Sequence, residues 1–314
     1  MKKELGIFAM LVVLCIVVAI LNPLFLSVMN LQNTARLVGM FGIFSIGVGI
    51  VIITGGIDLS VGSLFALFGV LLSFMLMRWG WPWPLAIGAI LLIAIAIGVF
   101  HGFLVTKMNL QSFIVTLCGL LFYRGLARYI AEDQTLGFGY CTGFETLQKL
   151  ATGQVLGVPM PFVLLIIISF IMWVVLHRSV YGRYLFAVGR NEEAARFSGI
   201  NTSLVIASSY VVSALMAGFG AILLAFYTNS ISPSSHGNFY ELYAIAAAVL
   251  GGCSLRGGEG SIIGIVIGAA LLQVLQNLVN LLGIPSSLNF AVMGTVILIG
   301  VITDQILGRR KAKS

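Results

Sequence analysis

The sequence predicts an all-α polytopic membrane protein, and three observations support that fold class. First, 60% of the 314 residues are hydrophobic and only 9% are charged, whereas a soluble domain carries about 25% charged residues. Second, the hydrophobic residues form continuous runs of roughly the 20 residues that a helix needs to cross a bilayer. Third, these runs lack the alternation with polar residues that strands of a membrane barrel show.

Ten apolar segments are candidates for spans, so we expect about ten transmembrane helices. They fall near residues 5–27, 37–54, 61–77, 83–105, 112–130, 160–177, 203–226, 240–253, 261–282 and 289–307. The first resembles a signal peptide, but its apolar run is long and no small-residue cleavage site follows, so we expect an uncleaved span. The eighth is short and is either a complete span or a broken or re-entrant segment, which is allowed only where protein or water covers the backbone.

The distribution of Lys and Arg predicts the orientation of the chain. If the N-terminus is cytoplasmic and ten spans alternate, twelve of the 17 basic residues lie on the inner side, as the positive-inside rule requires. We therefore expect both termini inside, an outer loop at about residues 131–159 and an inner loop at about 178–202. There is no sign of a separate soluble domain, so residues 1–314 are expected to form a single transmembrane domain.

A weak internal echo links two parts of the chain. The string ITGGIDLSVGSLFALFGVLL and the later string VLGGCSLRGGEGSIIGIVIG share an apolar helix, a Gly-Gly bend, a short polar stretch and a second apolar helix. Ten spans divide into two five-span repeats, which would be inverted because five is odd. This similarity, however, places both Gly-Gly bends on the same face of the membrane, which an inverted repeat does not predict. Whether the chain contains an inverted repeat therefore stays open.

Several motifs of enzymes are missing from the sequence. It contains no G-x-x-x-x-G-K-[ST] loop and no H-E-x-x-H pair, so we expect no nucleotide hydrolysis by this chain, no catalytic residue, no metal and no cofactor. The net charge of +7 is explained by basic residues at span ends, so we expect no nucleic-acid partner.

The inner loop contains GRNEEAARFSGI, which predicts a short helix. Asn191 is a good N-cap, Glu192 and Glu193 suit the positive end of the helix dipole, and Gly199 suits the C-terminal stop after Arg196. Two turns are unstable alone, so the segment is either a helical linker or a helix that docks on another protein. Its apolar residues are Ala194, Ala195, Phe197 and Ile200.

The string TGGIDLSVGS, residues 54–63, carries a lone charge between two apolar spans. Gly55 and Gly56 allow a tight turn, and Asp58 and Ser60 are both candidate N-caps for the third span. One interpretation is a capped helix hairpin near a membrane face. The other is a conformational hinge or a polar group on a transport path.

Two sets of polar residues lie within predicted spans. The ninth span carries Gln273, Gln276, Asn277 and Asn280, whose spacing favours one face; they are either interhelical contacts or the lining of a wetted path. Uncharged amides along a path would suit a neutral, hydroxyl-rich solute.

The fifth span ends with Arg124 and Arg128, followed by Glu132. These residues are four apart, so we expect an ion-pair ladder at the outer edge of the span. Contact with an outside partner protein is the alternative.

Three blocks together resemble the membrane permease subunits of bacterial ATP-binding-cassette sugar importers, of the ribose, xylose, arabinose and galactoside type. They are TGGIDLSVGS, YGRYLFAVGRNEEAARFSGI and AAVLGGCSLRGGEGSIIGIVIGAALLQVLQNLVNLLGI. The blocks occur in family order, and the resemblance covers roughly residues 35–307. It implies a subunit that transports a monosaccharide across the inner (plasma) membrane.

The resemblance also implies partners. These are a cytoplasmic ATPase that hydrolyses ATP, a periplasmic or extracellular sugar-binding protein, and a second permease subunit, identical or different. By analogy, the helix that couples to the ATPase comprises Asn191, Glu192, Glu193, Ala194, Arg196 and Gly199. The alternatives are a stand-alone secondary transporter or facilitator, and an importer permease for nucleosides or other small polar solutes.

Overall fold

The chain is an all-α polytopic membrane protein, as predicted. The computed structural model describes residues 2–139 and 143–285, together with residues 288, 291, 294, 295 and 298. Within these residues, eight helical segments are long and apolar enough to cross a membrane. They are Glu4–Leu21, Val28–Ile53, Val61–Arg78, Trp83–Thr106, Ser112–Ile130, Met160–Arg178, Thr202–Thr228 and Ile262–Leu281.

The secondary structure of the described residues comprises twelve α-helices and four very short strands. The helices are α1 (Lys2–Leu21), α2 (Val28–Ile53), α3 (Val61–Ser73), α4 (Trp83–Thr106), α5 (Ser112–Ile130), α6 (Glu145–Thr152), α7 (Met160–Arg178), α8 (Val180–Arg190), α9 (Glu192–Phe197), α10 (Thr202–Thr228), α11 (Tyr240–Leu250) and α12 (Ile262–Leu281). Antiparallel pairs join β1 (Leu136–Gly137) to β4 (Ser230–Ile231) and β2 (Gln154–Val155) to β3 (Val158–Pro159). A 3-10 turn at Pro23–Leu26 follows α1, and a π-helical turn at Phe74–Arg78 extends α3.

The junction between the first two predicted spans lies elsewhere than expected. Helix α1 ends at Leu21 because Pro23 opens the 3-10 turn, whose cap Asn22 accepts a hydrogen bond from the Leu24 N–H at 3.0 Å. Helix α2 begins at Val28, well before the predicted start at residue 37. The polar residues of the first turns of α2 lower the hydropathy there, although they are helical.

The eighth predicted span is a short helix. Helix α11 has 11 residues, which at about 1.5 Å per residue is close to half the thickness of a bilayer core. The tenth predicted span, 289–307, lies mostly outside the described residues. The count of ten crossings and the orientation of the termini therefore stay predictions.

Two long antiparallel helices, α2 and α10, form the centre of the bundle. A Cβ on Gly47 would meet Ser213, and the Thr54 hydroxyl lies 3.5 Å from that of Ser209. Residue numbers thus rise along α2 as they fall along α10, so the C-terminal ends of these helices lie at opposite ends of the bundle.

Each of these central helices is followed by a non-helical segment that enters the bundle. Residues 54–60 turn back beside α10, where Asp58 accepts a hydrogen bond from Ser213 at 2.7 Å. Residues 229–239 enter from the opposite end and bring the Gly237 carbonyl against the first turn of α3. We call 54–60 the first interrupted segment and 229–239 the second. Helix α3 therefore begins inside the protein, and the residues just before α11 contact its first turn, although Phe239 itself is exposed.

The two halves of the bundle have the same order of elements but run in opposite directions. Helices α2, α3 and α4 correspond to α10, α11 and α12: in each set a long helix is followed by an interrupted segment, a shorter helix and a further long helix. The first set starts from one end of the bundle and the second set from the other. The two Gly-Gly bends do lie at one end, since the Gly258 N–H donates to the Ile53 carbonyl at 2.8 Å. The counterpart of the first interrupted segment is thus the second one, not the later Gly-Gly string.

Helix α4 packs closely on α10 because a glycine faces it. A Cβ on Gly98 would lie 2.5 Å from the Val211 Cα, which is closer than atoms in contact allow. By contrast, a Cβ on Gly88 of the same helix would have no atom within 4 Å. The contact between α4 and α10 therefore depends on the missing side chain of Gly98.

We predict that Gly98→Val lowers the free energy of unfolding, because α4 and α10 must separate to admit the side chain. Overpacking of this kind costs about 1–3 kcal/mol, occasionally more. Gly88→Val is the matched control, since it makes the same change in the same helix where there is space. Thermal unfolding of both purified variants in one detergent measures the difference, and equal unfolding temperatures would contradict this packing.

Candidate functional site

The first interrupted segment is held in the interior by the carboxylate of Asp58. This side chain is only 1% exposed. One of its oxygens accepts hydrogen bonds from the Ser60 N–H at 3.0 Å and the Ser60 hydroxyl at 2.7 Å, and the other accepts from the Ser213 hydroxyl at 2.7 Å. These three donors stabilise a charge inside the protein and fix the segment to α10.

The predicted capping motif has a different geometry from a simple helix cap. Ser60 occupies the N-cap position of α3, but its side chain makes no capping hydrogen bond. Gly55 has a φ of +84° and supplies the turn after α2, while Gly56 packs against the Tyr210 side chain. Asp58 therefore holds the non-helical segment in place, and it does so by accepting hydrogen bonds from Ser60 rather than from the next turn of α3.

Helix α5 provides two further hydrogen bonds to the first interrupted segment. The Ile57 N–H donates to the Ser112 hydroxyl at 3.1 Å, and the Thr116 hydroxyl donates to the Ile57 carbonyl at 3.0 Å. Backbone groups that are not in a helix need such partners at membrane depth. The hydroxyls of α5 thus replace the bonds that a continuous helix would have made.

A buried His–Tyr pair lies between α4 and α5 beside this segment. His101 is 2% exposed, and its Nε2 lies 2.9 Å from the Tyr123 hydroxyl. The ring of Tyr210 from α10 stands edge-on to the His101 ring. His101, Tyr123 and Tyr210 thus join three helices around the first interrupted segment.

Arg124 is turned into the protein, so the predicted ladder of Arg124, Arg128 and Glu132 is wrong. Its guanidinium donates to the carbonyls of Pro233 at 2.9 Å, His236 at 2.6 Å and Gly62 at 3.2 Å. The spacing of charged residues in the sequence could not predict these hydrogen bonds, because the carbonyls belong to segments that are distant in the chain.

Arg128, one turn further along α5, remains on the surface. It pairs with Asp133 through two hydrogen bonds of 2.6 and 3.1 Å, and both side chains are more than half exposed, at 52% and 55%. The hydrogen bond from Arg128 holds the pKa of the Asp133 carboxyl below its usual range. The two arginines of α5 thus have unlike environments.

The polar residues of α12 do not share one environment. Gln273 is buried, at 4% exposed, while Asn280 is exposed. Asn277 exchanges two hydrogen bonds with Asn30 of α2, at 2.7 and 3.1 Å. Asn277 therefore makes an interhelical contact, which is the first of the two interpretations given for the polar residues of this span. A path along Gln273, Gln276 and Asn280 stays a prediction.

The inner loop forms two consecutive helices, α8 and α9. Asn191 caps α9 by accepting from the Ala194 N–H at 2.9 Å, and Gly199 ends it with a φ of +83°. Phe197 is 85% exposed, whereas Ala195 is buried at 5%. Of the four apolar residues named in the sequence of this segment, Ala195 therefore packs within the chain and is not part of the exposed surface. The exposed side chains of α9 are Glu192, Glu193, Ala194, Arg196 and Phe197.

Helix α8 places this exposed surface directly beneath the first interrupted segment. Gly189 packs so closely on the Ile53 carbonyl that a Cβ there would overlap it. The Tyr181 hydroxyl lies 2.7 Å from that of Ser208 on α10. Helices α8 and α9 are thus anchored to the end of α2 and to α10.

Comparison with known proteins identifies related sequences. Residues 30–301 match the model of a family described as branched-chain amino acid transport system / permease component. The ribose import permease protein of Bacillus subtilis is 39% identical over 312 residues, which cover 96% of this chain and 93% of the relative. No solved structure matches the chain.

Two further relatives match over similar lengths. The ribose import permease protein of Escherichia coli (strain K12) is 37% identical, covering 97% of this chain and 94% of its own. The autoinducer 2 import system permease protein LsrD of Enterobacter sp. (strain 638) is 31% identical, covering 95% of this chain and 91% of its own. The likeness thus extends over the interrupted segments, α5 and the α8–α9 surface.

We predict that Asp58→Ala destabilises the protein more than Asp58→Asn. Alanine leaves the donors on Ser60 and Ser213 without an acceptor, and each buried unsatisfied group costs about 1–3 kcal/mol. Asparagine keeps one acceptor, and its amide can donate to the Ser213 hydroxyl once that hydroxyl has rotated. Thermal unfolding of the purified variants measures both effects. Equal destabilisation by the two substitutions would show that the charge, not the pattern of acceptors, is what matters.

Proposed function

The chain belongs to the family of branched-chain amino acid transport system permease components, and we propose that it is the membrane subunit of an ATP-binding-cassette importer for a monosaccharide. As a family member with eight apolar candidate spans in its described residues, it is a multi-pass transport subunit of the bacterial inner membrane. The observation that carries the proposal is the near full-length match to two ribose import permeases.

The solute proposed is a neutral monosaccharide of the ribose type. Relatives named for ribose import are 35–39% identical, whereas the relative named for autoinducer 2 import is 31% identical. Amides such as those of Gln273, Gln276 and Asn280 both donate and accept, so they suit a solute with many hydroxyl groups. An importer for nucleosides or other small polar solutes is the alternative within the same family.

The energy for transport is proposed to come from a separate ATPase that docks on the α8–α9 surface. Helix α9 has six residues and exposes both acids, a base and Phe197, while Ala195 fixes it to the rest of the chain. Asn191 and Gly199 then shape the helix, and Glu192, Glu193, Ala194, Arg196 and Phe197 would contact the ATPase. A large exposed aromatic ring with flanking charges is typical of a protein contact.

The opposite end of the bundle is proposed to receive a sugar-binding protein outside the membrane. It carries β1, helix α6 and the β2–β3 hairpin, all from the predicted outer loop at residues 131–159. Leu156 at the tip of the hairpin is fully exposed. A second permease subunit, identical or different, would complete the transporter.

Reconstitution tests the proposed function. We predict that proteoliposomes holding this chain, its ATPase and its binding protein take up ribose or a related monosaccharide only when ATP is supplied. Omitting the ATPase is the control and should abolish uptake. Uptake by the chain alone, driven by an ion gradient or by the sugar gradient, would instead support a secondary transporter or facilitator.

A second prediction concerns the α8–α9 surface. Replacing Glu193 and Arg196 with alanine, or Phe197 with alanine, should abolish ATPase stimulation by the sugar-loaded binding protein. The amount of protein in the membrane should not change, because these side chains are exposed. Lys107→Ala, which removes an exposed charge from the α4–α5 connection, is the control. Normal stimulation in the Glu193/Arg196 and Phe197 variants would exclude α9 as the coupling helix.

A further inference from the structure

Helix α5 is bonded to both interrupted segments. Ser112 and Thr116, in its first turns, hold the Ile57 backbone of the first segment. Arg124 holds the second segment through the carbonyls of Pro233 and His236. The two sets of contacts lie roughly 12–18 Å apart along the helix, at about 1.5 Å per residue. One helix therefore contacts both interrupted segments.

Arg124 also ties the second interrupted segment to α3. One of its nitrogens donates to Pro233 and His236, and another donates to the Gly62 carbonyl in the first turn of α3 at 3.2 Å. The planar guanidinium suits this task because it presents donors in fixed directions to several acceptors at once. A lysine ammonium is a single point and could not keep all three carbonyls in place.

Glu241, in the first turn of α11, lies at the same junction as Arg124. It is only 7% exposed, and one of its carboxyl oxygens packs against Gly62, whose carbonyl accepts a hydrogen bond from Arg124. Ionisable groups inside a membrane protein are costly and usually mark functional positions. Arg124 and Glu241 thus place two ionisable side chains where α3, α5, α11 and the second interrupted segment meet.

We propose that Arg124 is a positioning residue for transport, acting as a lock that joins α3, α5 and the second interrupted segment into one moving body. The proposal rests on the function proposed above. Arg124 would not bind the sugar. Instead, it would transmit a displacement of α5 to the second interrupted segment, just as Ser112 and Thr116 transmit it to the first.

Hydrogen exchange tests the lock without any solute. Arg124→Gln should reduce the protection of amides in residues 229–239 by about tenfold, which corresponds to a loss of about 1.4 kcal/mol in closing free energy. Arg128→Gln is the matched control, because it removes the same charge one turn away from an exposed pair. Equal exchange in the two variants would overturn the lock.

Two further variants separate the lock from simple charge balance. Arg124→Gln combined with Glu241→Gln replaces both ionisable side chains with amides, and Arg124→Lys keeps the positive charge. If the lock is correct, the double variant accumulates in the membrane like the wild type but keeps fast exchange and low uptake, and the lysine variant is intermediate. Full recovery of exchange protection and uptake in both would overturn the proposal, because neutralising Glu241 would then suffice.

Uptake by the reconstituted transporter tests the link to transport. With basal ATPase activity retained, Arg124→Gln and the double variant should lose about tenfold or more of the uptake rate of Arg128→Gln. Faster exchange with unchanged uptake would confine Arg124 to a structural role and overturn the proposal. If the wild type itself moves no monosaccharide, the proposed function fails, and that result is distinct because the exchange comparison still reports on the lock.

Discussion

Backbone that leaves the helical conformation inside a membrane bundle must find hydrogen-bond partners in the protein, because lipid offers none. Both interrupted segments obey this constraint with help from α5. Ser112 and Thr116 satisfy the N–H and the carbonyl of Ile57, while Arg124 satisfies two carbonyls of the second segment. The donors and acceptors of a single helix thus permit two chain interruptions, and the positions of α3 and α11 follow from them.

The start of each short helix depends on this arrangement. Because residues 54–60 turn back into the bundle, Val61 begins α3 in the interior, where Phe65 can meet Phe44 and Tyr240 in an aromatic cluster with ring centroids 4.9–5.8 Å apart. Tyr240 is the first residue of α11. The cluster therefore links the starts of both short helices and fills the space between them with apolar surface. Apolar packing and backbone satisfaction serve the same junction.

The sequence predicted the helices well and the interruptions poorly, for physical reasons. Hydropathy reports burial averaged over a span, so the eight long helices were found, and the short α11 was recognised from its length. The second interrupted segment, residues 229–239, carries no local signal of its position, because its Ser, Pro, Asn and Gly residues are typical of any connection. Its depth in the bundle depends on α3 and α5, which are remote in the sequence. The inverted correspondence of the two halves was hidden for the same reason.

The candidate site shows the same division between local and remote information. Asn191, Gly199 and the exposed charges of α9 were predicted from neighbouring residues, because capping and helix termination are local. Asp58 was predicted as a cap, but its contact with Ser213 on α10 needs the fold. Arg124 was placed on the surface, because four-residue spacing to Arg128 suggested a ladder and nothing nearby in sequence indicated the carbonyls that bind it.

The end of the bundle with the α8–α9 surface is also where the first interrupted segment begins, and this proximity gives the proposed coupling a physical route. Gly189 of α8 packs on the Ile53 carbonyl, and Gly258 donates to the same oxygen. A displacement of α8 would therefore act on the last residue of α2, four positions before Ile57. Ile57 is hydrogen-bonded to α5, and α5 is hydrogen-bonded through Arg124 to the second interrupted segment near the other end of the bundle.

The contact between Gly189 and the Ile53 carbonyl is stiff, since no side chain lies between the two backbones to absorb movement. A packed glycine, hydrogen bonds and helix α5 thus connect the α8–α9 surface to the second interrupted segment, so a change at that surface has a continuous set of bonded elements through which to reach the opposite end of the bundle.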